Sequence, residues 1–165
     1  MTFEKTSLIM SKPQEQSAQN IANSKASQIT CCIPEKLMFK ESRSNFDFET
    51  TIGMVKSAFK RDWIIPWETN IQERYKEEGF QDMTRAILIP ICRPAGGYDI
   101  IQHDRYKLIT PLMPLQISVY EKTDGNTYIS RMKTVMMSNL MSGTTRRNMK
   151  ESGRMVEASL ADIIT

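Results

Sequence analysis

Residues 115–132 carry a pattern that reads as an antiparallel ribbon. Leu115, Ile117 and Val119 alternate with Gln116, Ser118 and Tyr120, and a period of two sends the two sets to opposite faces of a strand. The strand runs into EKTDGNTY. There Asp124-Gly125 supplies a glycine for the positive φ of a hairpin turn, and residues 127–132 form the return strand. Just upstream, residues 86–92 are a near-continuous apolar run too short for a helix, hence a buried strand. The stretch from Arg85 to Met132 is therefore the centre on which the rest of the chain packs or from which it hangs.

Helices are expected on either side. Phe48, Ile52, Val55 and Phe59 fall at i, i+4, i+7 and i+11, one apolar stripe of a helix over residues 45–63. Asp47 is placed to cap its first turn, and Gly53 inside it suggests a close backbone approach. Pro66 ends the segment. A second, shallow helix is predicted over 69–78, with Thr69 and Gln72 at capping-box spacing and Gly79 as terminator. Arg93-Pro94-Ala95-Gly96-Gly97 should turn the chain into about two helical turns over 98–104. Helices are also expected at 134–142, closed by Gly143, and at 145–164, with Met149, Val156 and Leu160 on one stripe. Residues 28–40 suit a strand in which Pro34 sits at an edge, a bulge or the start. Residues 1–27, rich in Ser, Gln, Lys and Asn, read as a flexible arm.

The 165 residues suggest one domain, and the formal net charge of +3 is mild. The densest basic cluster, Arg146, Arg147, Lys150 and Arg154, is diluted by Glu151 and Glu157, so a solvated helix face is expected rather than a nucleic-acid surface. No apolar run is long enough to span a bilayer, and the first residues lack a secretory pattern, which makes the cytoplasm the expected compartment. Three cysteines, Cys31, Cys32 and Cys92, argue against a disulfide framework.

Five pieces in order are similar to a known family. They are Ile91-Cys92-Arg93-Pro94, Met113-Pro114, Val119-Tyr120-Glu121-Lys122, Asp124-Gly125 and Tyr128-Ile129-Ser130-Arg131-Met132. Together with the upstream Asp47-Phe48-Glu49-Thr50-Thr51-Ile52, they resemble DUF302, small domains of unknown function. The resemblance covers about residues 28–143 and leaves 1–27 and a C-terminal helical extension, 144–165, outside it. It implies an α+β, TBP-like fold: a curved antiparallel sheet with helices packed on one face. It also implies homodimers and company with sulfur or thiol metabolism. Leu115-Gln116 stands where many members read Cys-Arg, and Lys133 where an Asn is common. If the family's chemistry needs two thiols, with Cys92 as one, this chain lacks the other.

Each candidate for chemistry has a plainer alternative. Cys92 ends a buried strand beside Arg93, a cation that favours thiolate, but a lone Cys in an apolar run is more often a small hydrophobe. His103, the one histidine, is the base such a thiol would want. Cys31, Cys32, Cys92 and His103 have no recognised metal-ligand spacing, so neither metal nor cofactor is expected. Gly96-Gly97 could hold an anion but reads better as an ordinary turn. Trp63 and Trp67, with Met136, Met137 and Met141, are the expected partner surface, against the alternative of core packing.

The leading expectation is a non-enzymatic accessory domain that binds a protein partner or itself. The runner-up is a thiol- or sulfur-handling protein working through Cys92, with Arg93 and His103 in support. A weaker third is a small apolar ligand held between sheet and helix, by fold analogy.

Overall fold

A computed structural model describes residues 35–165. The arm at 1–27, Cys31, Cys32 and Pro34 lie outside the described residues. The fold is α+β. Its sheet has five antiparallel strands in the order β1-β5-β4-β3-β2, comprising β1 (Phe39–Arg43), β2 (Thr69–Asn70), β3 (Ala86–Ile91), β4 (Leu115–Glu121) and β5 (Thr127–Met132).

The ribbon forms as its alternation dictates. Val119 faces Ile129 and Ile117 faces Arg131 across β4 and β5. Gly125 takes φ +75°, and its N–H donates to the Lys122 carbonyl while Asp124 accepts from the Asn126 amide. Ile117, Val119 and Ile129 are fully buried on one face together with Ile89 and Ile91 of β3. Pro90 lacks a ladder donor, but β2 reaches only Ile87 and Leu88, so the strand is open beside it.

Two helices cover that apolar face. α2 (Phe48–Ala58) contributes Phe48, Ile52 and Val55, and Phe59 just beyond it packs edge-on against Trp63. Asp47 caps α2 as expected, accepting from the Thr50 amide at 3.0 Å. The helix stops at Ala58 rather than running to 63, yet Phe59 and Trp63 still reach the core. Gly53 is not a close approach: a Cβ there would meet nothing within 4 Å. The last helix, α6 (Gly143–Leu160), sends Val156 and Leu160 into the same cluster, and Ile163 follows them. Read from sequence as an extension, it is one of the two helices that close the core.

Other boundaries moved for identifiable reasons. Residues 35–38 form a helical turn, α1 (Glu35–Met38), and the strand begins only at Phe39. Thr69 and Asn70 pair with β3 as β2, and it is Asn70 that caps α3 (Ile71–Glu77), accepting from the Glu73 amide. Gly79 closes that region with φ +93°. α4 (Pro94–Ile101) starts four residues earlier than predicted, because Pro94 at its first position is pre-set for helix. A 3-10 segment, Asp104–Leu112, joins it to β4. The stretch after β5 is a single turn, α5 (Thr134–Met137), then a 3-10 turn. Gly143 opens α6, at φ +54°, instead of ending the helix before it. No described helix is long and apolar enough to cross a membrane.

Candidate functional site

The end of β3, the start of α4 and one face of α6 enclose a small pocket. Cys92 is pinned there by its backbone, which exchanges two hydrogen bonds with Ile64, at 2.8 and 2.9 Å. The next side chain, Arg93, crosses to α6. Its guanidinium donates to both carboxylate oxygens of Glu151, at 2.8 and 3.0 Å, and to Oδ1 of Asn148 at 3.0 Å. Arg93 accordingly holds the Glu151 carboxyl below its usual value.

The two glycines have structural reasons. A Cβ on Gly96 would lie 2.9 Å from Nη2 of Arg93, so the glycine leaves the guanidinium its course over α4. A Cβ on Gly97 would stand 3.2 Å from Cε of Met113 and 3.9 Å from Sγ of Cys92. The missing side chain is part of the space. The cavity measures about 40 Å³, with Trp63, Ile100, Met113 and Met149 among its apolar walls. Two donors on lining residues have no partner among the described residues, Nε of Arg93 and Nδ2 of Asn148, and both atoms are buried. Leaving such a group unpaired costs about 1–3 kcal/mol. Oγ1 of Thr145, one turn earlier on α6, is likewise without a partner.

Cys92 and Arg93 thus share one pocket, but His103 does not line it. It lies past the far end of α4, whose eight residues span about 12 Å, and its ring sits edge-on to Tyr106 at 6.0 Å. The guanidinium expected to favour a thiolate is committed to Glu151. Among the described residues no three His, Cys, Asp or Glu side chains gather as a metal-binding group.

The expected partner surface is divided. Trp63 is only 6% exposed and belongs to the core, whereas Trp67 stands in solvent. Met136 lines a groove with Lys40, Lys133 and Glu157, whereas Met137 is half-buried and does not line it. Met141 lines a different groove, of about 350 Å³, with Leu108, Ile109 and Leu140. Leu108 is 86% exposed and Leu140 81%. Leu108 carries no signal in the sequence, because a single Leu in an irregular segment has no periodicity to place it.

A second polar cluster also went unread. Arg131 is fully buried on the core face of β5, and it donates to both oxygens of Glu157, at 2.9 and 2.8 Å, and to Oγ of Ser42. Lys40 reaches Glu157 from the edge strand at 2.6 Å. The period of two that buries Ile129 was the signal for Arg131. For Asn148, the signal was its place one turn before Ser152 on the buried face of α6.

Comparison with known proteins bears on this fold. The family model described as "Domain of unknown function DUF302" matches residues 40–165, so the match runs through α6. A search of curated proteins returns no match. Among solved structures, the crystal structure of an uncharacterized conserved DUF302 protein from Bacillus stearothermophilus is similar, with a TM-score of 0.67 and 17% identity. The match covers 76% of this chain and 97% of that one. At that identity the likeness speaks for the fold alone. With three-quarters of its length under the family model, this chain belongs to the DUF302 family.

Proposed function

We propose that this chain is a non-enzymatic interaction domain that docks a protein partner, a second copy of itself included, through the groove holding Leu108 and Leu140. The observation that carries this reading is their exposure, 86% and 81%, beside Ile109 and Met141 in one groove. Scattered exposed leucines need no explanation, but two that share an apolar groove mark a surface suited to burial. Burying both would contribute roughly 3 kcal/mol or more. Leu108→Asp with Leu140→Asp should therefore weaken association by about a hundredfold or more while leaving the fold intact. Sedimentation over a wide concentration range, with co-purification from the native source, reads this out. Unchanged mass and unchanged company for the double variant would end the proposal.

A thiol-handling role has one observation in its favour: Cys92 is half-buried and lines the pocket. It predicts that iodoacetamide labels Cys92 in the folded protein at neutral pH, and that C92S abolishes the labelling. Labelling only after denaturation would remove this reading.

A further inference from the structure

We propose that the groove holding Leu108 and Leu140 receives an acidic amphipathic segment of another protein, apolar on one side and rich in carboxylates on the other. This rests on the docking role given to the groove above and adds the chemistry of its occupant. Leu108, Ile109, Leu140 and Met141 are its apolar lining, and among the described residues no carboxylate lines it. Arg105 does. Its guanidinium donates to the Tyr106 hydroxyl and stacks over that ring, while the adjacent Asp104 is taken by Lys107. Arg146 follows Thr145, another lining residue, and its guanidinium donates only at 3.5 Å, to Oδ1 of Asn139. Among the described residues no carboxylate oxygen lies within 4.0 Å of either guanidinium.

The rest of α6 carries the charge further. The sequence suggests that Glu151 and Glu157 dilute the cations of this helix, but in the structure both are committed elsewhere. Glu151 holds Arg93, and Glu157 holds Arg131 and Lys40. Arg146, Arg147, Lys150 and Arg154 are left without an ion pair among the described residues. They stand at i, i+1, i+4 and i+8, on the side of the helix away from the buried Met149, Ser152 and Val156, and span about 12 Å. A neutral segment covering the leucines would take Arg105 and Arg146 out of water with nothing to pair them. A segment with carboxylates along its margin meets both demands. Nucleic acid would use the cations and leave both leucines in water. An anionic bilayer is flat, whereas the groove is a recess of about 350 Å³. Asp104, 92% exposed at its side chain, would also face the lipid charge.

The test measures fluorescence anisotropy of two labelled amphipathic peptides added to the full chain. One carries leucine on one face and glutamate on the other; its twin has glutamine in place of every glutamate. The acidic peptide should bind about tenfold tighter than its twin or more, and the gap should shrink in about 0.5 M salt, which screens the charges. R146Q with K150Q and R154Q should weaken the acidic peptide about tenfold and leave the twin unchanged. L108N with L140N adds no charge and should weaken both peptides, with circular dichroism confirming that each variant folds. Equal affinity of the native chain for the two peptides overturns the acidic occupant while docking in the groove stands. Undiminished binding of the acidic peptide to the leucine variant removes the groove as well. If neither peptide binds, the acidic occupant falls, and sedimentation of the double aspartate variant still decides the docking reading. Phosphatidylserine vesicles that pellet the native chain and displace the acidic peptide would overturn the proposal in favour of a membrane surface.

Discussion

Replacing Glu157 with Gln tests how the buried Arg131 is tolerated. The substitution keeps the shape of the side chain and one acceptor, but removes the charge. In the native chain Arg131, 1% exposed at its side chain, donates twice to Glu157 and once to Ser42. Stripping the partner from a fully buried ion typically costs about 3–5 kcal/mol. Here Glu157 is 37% exposed, so water reaches the pair and the expected loss is smaller, about 2–3 kcal/mol. Urea unfolding should show it as a midpoint lowered by roughly 1.5 M at unchanged slope. Arg131 holds the Glu157 carboxyl below its usual value of 4.5. A depressed carboxyl gives stability that is complete above the unfolded value and lost as pH falls through the folded one. The gap between native chain and E157Q should therefore narrow on acidification below about pH 4.5 and stay constant from there to neutrality. Adding Arg131→Met to E157Q should recover part of the loss, since no buried cation is then left without its anion. An E157Q midpoint equal to the native one would refute the reasoning.

Two further expectations follow from side-chain space and from burial. Gly53 and Gly153 are both helical, but a Cβ at Gly153 would come within 2.7 Å of the Val135 backbone nitrogen, whereas one at Gly53 meets nothing. Thermal unfolding should show G153A destabilised by about 1–3 kcal/mol and G53A stabilised by about 0.5–1 kcal/mol; the same sign for both would contradict the packing described. Tyr120 is pushed well above the ordinary tyrosine range, by burial first and then by its hydrogen bond to Glu41. Ultraviolet titration should find it still protonated when exposed tyrosines ionise, with Glu41→Gln lowering its transition. The stability resting on the neutral phenol is present below the usual value of 10.0 and lost as pH rises beyond it.

The parts of the candidate site differ in how legible they were. Cys92 and Arg93 could be singled out because they end an apolar run. Their joint place in a pocket could not be read, since it depends on α6, more than fifty residues away, supplying Asn148 and Glu151. His103 is a candidate base for Cys92 only as the one histidine in the chain, and the intervening α4 holds the two apart. The Trp63–Trp67 pair was split because Trp63 turns onto Phe59 while Trp67 has no core to reach.

Local pattern alone determined the α2 stripe and its Asp47 cap, the β3 run, the alternation of β4 and the turn at Asp124-Gly125. Each rests on forces acting within a few residues: helical or strand period, a capping carboxylate, a glycine at positive φ. Tertiary structure alone decided that α6 closes the core, that Arg131 lies inside it with Glu157, and that Gly96 yields space to a guanidinium. Those outcomes hang on contacts between residues distant along the chain, where sequence spacing carries no distance. Burial and charge pairing set them only once the sheet has brought the helices together.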